Sequence, residues 1–153
     1  MLAALAIVWL TADLSVEHLS IAPANQNGAG VHAGLEIEVP LRPALSLSLT
    51  GRAGATRGGD WRPIFEGAAK LTWRETMETY AGLRHDDRLR REGALADYRD
   101  PTGRMFVGAA VLPFRRGPLA VGASIDYERA LPGANRLPSG VSAAAFARWR
   151  FHW

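Results

Sequence analysis

Residues 31–41 place Val31, Ala33, Leu35, Ile37, Val39 and Leu41 at every second position, with His32, Gly34, Glu36, Glu38 and Pro40 between them. A helix would scatter the two carboxylates around its circumference. A strand puts both on one face and the hydrocarbon on the other. The same period of two recurs along the chain. Leu45, Leu47, Leu49, Gly51 and Ala53 oppose Ser46, Ser48, Thr50 and Arg52. Phe65, Gly67, Ala69, Leu71 and Trp73 oppose Glu66, Ala68, Lys70, Thr72 and Arg74, and Met77, Thr79, Ala81 and Leu83 oppose Glu78, Tyr80, Gly82 and Arg84. Residues 119–128 repeat the pattern, with Leu119, Val121, Ala123, Ile125 and Tyr127 against Gly122, Ser124, Asp126 and Glu128. In residues 141–153, Ala143, Ala145, Ala147, Trp149, Phe151 and Trp153 share one face, and Arg148, Arg150 and His152 the other. Residues 104–114 carry apolar or small residues at both parities, which predicts a bulge. A first strand over residues 13–21 brings the expected total to eight.

The connections carry a second pattern. Arg42-Pro43, Arg74-Glu75 and Arg115-Arg116-Gly117 read as tight turns. They alternate with longer links at residues 22–30, 56–60, 85–103 and 130–140, in which Gly28, Gly30, Gly58 and Gly59 read as turn residues. Short and long connections therefore fall at opposite ends of the strands. Transmembrane barrels have short turns at one rim and longer loops at the other.

A chain of 153 residues has room for one domain, read here as residues 13–153. It has no cysteine, so disulfides and thiolate metal sites are excluded. Its formal net charge is only +3, and the Arg88, Arg90, Arg91 run sits beside Asp86, Asp87 and Glu92. Nucleic-acid binding favours a one-signed stripe, so nucleic acid is not an expected partner. Residues 1–12 are almost wholly apolar and too short to span a bilayer as a helix. They read either as a secretory signal segment or as the start of the first strand.

Alternation leaves open which face is inside. A soluble, lipocalin-like carrier puts apolar residues inward to hold a small apolar ligand; a membrane barrel puts them outward against lipid. The charged parity is balanced. Asp13, Glu17, Glu36, Glu38, Glu66, Glu78, Asp126 and Glu128 face Arg52, Lys70, Arg74, Arg84, Arg104, Arg148 and Arg150. Such a set can pair across strands inside a barrel whose lumen is just wide enough for side chains. The apolar parity carries Trp61, Phe65, Trp73, Tyr127, Trp149 and Trp153 near segment ends, as interfacial aromatic girdles require. The expected fold is thus all-β: an eight-stranded antiparallel up-and-down transmembrane barrel with a filled polar interior.

The last strand ends on Trp153 with apolar residues at every second position before it. This resembles the closing strand of bacterial outer-membrane barrels, which their assembly machinery recognises by a terminal aromatic. Over residues 13–153 the pattern resembles small barrels of the OmpA and OmpX kind. The resemblance implies an outer-membrane location, outer-membrane lipid and the assembly machinery as partners, and a structural or surface-interaction role without an open pore.

Hydrolase elbows, phosphate loops, dinucleotide fingerprints and zinc motifs are absent from the sequence, its four histidines are dispersed, and no cofactor is expected. One stretch does carry chemistry: His18 and Ser20 are two apart, hence on one face of a strand, shared with Leu14 and Val16. A base beside a hydroxyl facing lipid suits attack on a membrane ester. The pair resembles the His-x-Ser of the outer-membrane lipid A deacylase family, with Glu36 as the candidate acid. In that family the pair sits late in the chain, whereas here it opens the barrel, and Glu36 phases to the opposite face. Separately, the guanidinium forks of Arg88, Arg90 and Arg91 suit lipopolysaccharide phosphates.

Overall fold

The computed structural model describes residues 5–21, 24–57, 61–86, 102–131 and 139–152. Eight strands follow one another in the chain: β1 (Ile7–Ile21), β2 (Ala24–Arg42), β3 (Leu45–Arg57), β4 (Trp61–Trp73), β5 (Met77–Asp86), β6 (Thr102–Arg116), β7 (Leu119–Ala130) and β8 (Gly140–His152). Each pairs antiparallel with the next, and β8 returns to β1 through a register running from Trp9↔His152 to Ser20↔Val141. Closure leaves no edge strand, so every strand has partners on both sides, the condition for crossing hydrocarbon.

The period of two maps onto the wall as the alternation predicts. Leu14, Val16, Val31, Leu35, Ile37, Leu49, Leu83, Val107, Ile125 and Phe151 are exposed on the outer surface. Asp13, Glu36, Lys70, Glu78, Arg84, Arg104, Asp126, Glu128 and Arg148 are buried inside. This is the reverse of a lipocalin-like carrier, and it corrects that alternative: the continuous apolar surface faces out, and the lumen is polar. In water such a belt would be exposed hydrocarbon on every strand; in a bilayer it is the solvated surface. Trp73, Phe114 and Phe151 lie on this face near the turn end, and Trp61, Phe65 and Tyr127 near the loop end. Along β4, Trp61 and Trp73 are separated by roughly 30 Å of barrel height at ordinary strand rise and tilt, close to a hydrocarbon core. The protein is therefore a transmembrane β-barrel.

Two registers slip, between Pro40 and Arg42 and between Val111 and Phe114. Each slip contains a proline, Pro40 in one and Pro113 in the other, and a residue without an N–H is tolerated at a bulge. The second slip explains the mixed phase of residues 104–114: Val111 and Phe114 are both outward although three positions apart.

The structure departs from the sequence reading at three places. β1 begins at Ile7, ahead of the expected first strand at residue 13: residues 7–12 all pair with β2, and Trp9 to Ala12 pair with β8 as well. The expected long link at residues 22–30 is mostly strand, because β1 and β2 stay paired to Ile21↔Ala24. Gly28 and Gly30 accordingly lie within β2 and not in a turn, while residues 58–60 fall outside the described ones. At Gly30 a side chain would collide: a Cβ there would sit 2.6 Å from Ser15 Oγ and 2.7 Å from His32 Cε1. The sorting of connections is consequently less regular than expected: β1–β2 and β3–β4 are joined by short links, and long ones follow β5 and β7.

At the turn end Arg74, expected on the inner face, occupies the β4–β5 turn and is exposed. It and Glu75 have φ values of 50° and 57°. Two consecutive positive φ values match the twist of a tight hairpin, a position that favours Asn-Gly. Each side chain there meets the left-handed clash, so Arg74→Asn with Glu75→Gly should stabilise the barrel by about 1–2 kcal/mol in equilibrium urea unfolding from vesicles. The Glu75–Arg115 ion pair lost in that variant is solvent-exposed and offsets little of the gain.

Candidate functional site

The lumen holds one unbroken chain of alternating carboxylates and cations. At the turn end Trp9 Nε1 donates to Glu38 (2.8 Å), and Arg150 bridges Glu38 (2.6 Å) and Glu36 (3.1 Å). Lys70 Nζ then joins Glu36 (3.0 Å) to Glu78 (3.1 Å). Arg148 donates to both oxygens of Glu78 (3.0 and 2.9 Å) and, through Nε, to Asp13 (2.7 Å). Arg52 links Asp13 (3.1 Å) to Glu66. Arg84 continues from Glu66 (2.7 Å) to Glu128 and Asp126, and Arg104 lies 3.2 Å from Glu128 at the loop end.

Strand register explains part of this chain. Asp13 is directly opposite Arg148, Arg52 opposite Glu66, and Glu66 opposite Arg84, so these pairs are made along the wall. Other links cross the lumen: Arg148 on β8 reaches Glu78 on β5, and Arg84 on β5 reaches Glu128 on β7. Arg84 and Arg104 are themselves directly opposite. The carboxylates of Glu128 and its neighbours make that like-charged juxtaposition tolerable. Aromatic faces cover the guanidinium groups, with Phe106 4.5 Å from Arg84 and Phe146 4.9 Å from Arg148. Tyr80 donates to Asp126 at 2.5 Å, and Ser142 to Glu128 at 3.0 Å.

The remaining space inside is small. A cavity of about 80 Å³, lined by Asp13, Glu17, His32, Arg52, Glu66 and Tyr80 among others, has room for a few water molecules. Ile64, 3% exposed, also lines it, and Leu19, 2% exposed, is buried on the inner parity of β1 nearer the loop end. Among the described residues, paired side chains fill this part of the lumen where a substrate-sized channel would run.

The sequence-derived candidates separate in space. His18 and Ser20 are exposed on the outer face of β1, as their parity requires. Glu36 is buried in the lumen, on the other side of the wall, and is bound to Lys70 and Arg150. Its register partner is Trp9, whereas that of His18 is Asn27, so the structure does not bring Glu36 to the His18–Ser20 pair. Asn27 stands there instead: His18 Nδ1 and Asn27 Oδ1 are 2.6 Å apart. The sequence gives no sign of Asn27, because residues 22–30 lack alternation and read as a link. Trp9 was missed for a related reason, since the apolar run around it hides its parity with Asp13. Arg88, Arg90 and Arg91 lie outside the described residues.

No protein-family model matches the chain, and no curated protein matches it in sequence. Among solved structures it is similar to a de novo designed transmembrane β-barrel, at 13% identity and a TM-score of 0.47, covering 94% of this chain and 95% of the other. It is also similar to the outer membrane protein AlkL, solved by solid-state NMR in DMPC bilayers, at 11% identity and a TM-score of 0.38, covering 96% and 91%.

Proposed function

We propose that the protein is a bacterial outer-membrane barrel with a structural or surface-interaction role, and that it does not conduct. The observation that carries this reading is the ion-pair chain from Glu38 to Arg104, which crosses the lumen and leaves about 80 Å³ of cavity. With its centre filled, the barrel offers its rims and its lipid-facing wall to partners. Outer-membrane lipid covers the apolar belt, and the assembly machinery reads the closing strand, whose outer face carries Ala145, Ala147, Trp149 and Phe151. In planar bilayers the purified barrel should show no steady single-channel conductance, and sugar-loaded vesicles containing it should not swell. Reproducible conductance steps from the wild-type protein would sink this reading.

The His18–Asn27 contact favours a second reading, hydrolysis of a lipid ester at the outer wall. With Asn27 Oδ1 accepting, the proton of His18 sits on Nδ1, which leaves Nε2 as the base for a neighbouring hydroxyl. Ser20 shares the face two residues on. Asn27 takes the orienting position for which Glu36 was the candidate. On this reading, mass spectra of lipid A incubated with the folded protein lose one ester-linked acyl chain, and Ser20→Ala abolishes the change. Unaltered lipid A with the wild-type protein would exclude it.

A further inference from the structure

The three tight turns each carry exposed arginine: Arg42 before the first, Arg74 in the second, and Arg115 and Arg116 before the third. The acid on these turns is Glu75, and Arg115 already pairs with it at 2.8 Å. Inside the lumen the cations lie between carboxylates, so the chain's formal excess of +3 is not carried there. Neighbouring elements tie this rim together: Arg74 N donates to Ala44 O at 2.8 Å between the first two turns, the Glu75–Arg115 pair joins the second turn to the end of β6, and Arg150 N of β8 donates to Pro118 O of the third turn at 2.9 Å. Immediately beside it the outer wall presents Trp73, 48% exposed, with the Arg74 guanidinium 5.0 Å from its ring.

A second observation comes from the backbone. Arg74 and Glu75 hold φ of 50° and 57°, where the hairpin would prefer Asn-Gly. Local strain of this kind persists where the side chain has a use that a glycine cannot serve.

We infer that this arginine collar binds the headgroups of anionic phospholipids in the leaflet at the turn end. The inference rests on the membrane-barrel reading. Guanidinium forks match phosphate oxygens, and the collar lies where the apolar belt gives way to water, at headgroup depth. The aromatic–arginine pair at Trp73 and Arg74 fits that boundary: the ring sits toward the hydrocarbon and the charge toward phosphate.

Tryptophan quenching by brominated lipids tests it. The protein, with Trp61→Phe to remove the loop-end signal, is reconstituted into vesicles of phosphatidylcholine with brominated phosphatidylglycerol or with brominated phosphatidylcholine. The collar predicts stronger quenching by the anionic lipid, with a relative affinity of roughly fivefold for each arginine engaged, reduced by salt. In Arg42→Gln/Arg74→Gln/Arg116→Gln the two lipids should quench equally, while the heat-dependent gel shift of the folded barrel is kept. The Arg74→Asn variant separates binding from turn stability: asparagine tolerates the positive φ and Glu75 keeps Arg115, so it should refold at least as well as the wild type and still lose part of the preference. Strong but equal quenching of the wild-type barrel, or a preference that survives the triple substitution, would overturn the collar and leave the barrel standing. Quenching by neither lipid would overturn both.

Discussion

Arg84→Met is expected to destabilise the barrel by about 3–5 kcal/mol, because it strips the partner from buried carboxylates while leaving their charge in place. Arg84 bonds Glu66 through Nε (2.9 Å) and Nη2 (2.7 Å) and also reaches Asp126 and Glu128, the last of these fully buried. The loss should be read in urea unfolding from vesicles, with the unfolded protein in water as reference. Methionine retains much of the length and packs against Phe106, so lost volume does not account for the effect. Glu66 keeps Arg52 and Glu128 keeps Arg104, whereas Asp126 is left with only Tyr80 and Ser142 among the described residues, so Arg84→Met/Asp126→Asn should recover about 1–2 kcal/mol of the loss. A loss below about 1 kcal/mol in the single variant would mean that water solvates the stranded carboxylates and that the lumen is wet.

Ile125→Arg is the complementary test from the outside. Ile125 is 57% exposed and faces outward between Ala109 and Ala143 in the middle of the wall. On a water-soluble protein, a surface substitution at so open a site changes stability by about 0.5 kcal/mol or less. On the lipid face near the bilayer midplane an arginine costs about 2–4 kcal/mol, falling toward zero at the interfaces. The same change made at Tyr127, two positions nearer the loop end, should therefore cost less. This depth dependence is the signature of a hydrocarbon slab, and a soluble barrel has no source for it.

These two effects follow from the part of the structure that was plainest in the sequence. A residue's parity in a strand decides its face, and with hydrocarbon outside and charge inside each position must choose. That rule placed Glu36 and Glu38 inward and Leu35 and Ile37 outward. It failed where the constraint behind it is absent. At residues 24–30 the chain runs Ala-Asn-Gln-Asn-Gly-Ala-Gly, with no contrast between alternate positions. A strand that projects past the lipid has no need for an apolar face, so β2 continues there without its period of two. Residues 7–12 are obscured differently, since Trp9 and Thr11 carry no formal charge to mark the inner parity. Trp9 nonetheless points inward and satisfies its indole N–H on Glu38.

The lumen pairs were legible only in part. Asp13 with Arg148 and Arg52 with Glu66 follow once neighbouring strands are in register. Arg148 with Glu78 joins strands that are not neighbours, and depends on the tilt and stagger of the closed barrel. No local pattern encodes that distance. The outer-wall chemistry shows the same limit: parity put His18 and Ser20 together, but the partner of His18 came from β2 residues whose strand was hidden.

The most direct test of a closed barrel with hydrocarbon outside and charge within is a refolding experiment. Protein unfolded in urea is diluted into detergent micelles and, separately, into plain buffer, and each sample is run unheated and boiled on a denaturing gel. The predicted result is a species from detergent alone that migrates differently before and after boiling, since closure resists the gel detergent until heat opens it. A soluble, folded species from plain buffer would contradict the account, because an outer surface built from Leu49, Phe65, Leu83, Val107 and Ile125 could not then be facing water.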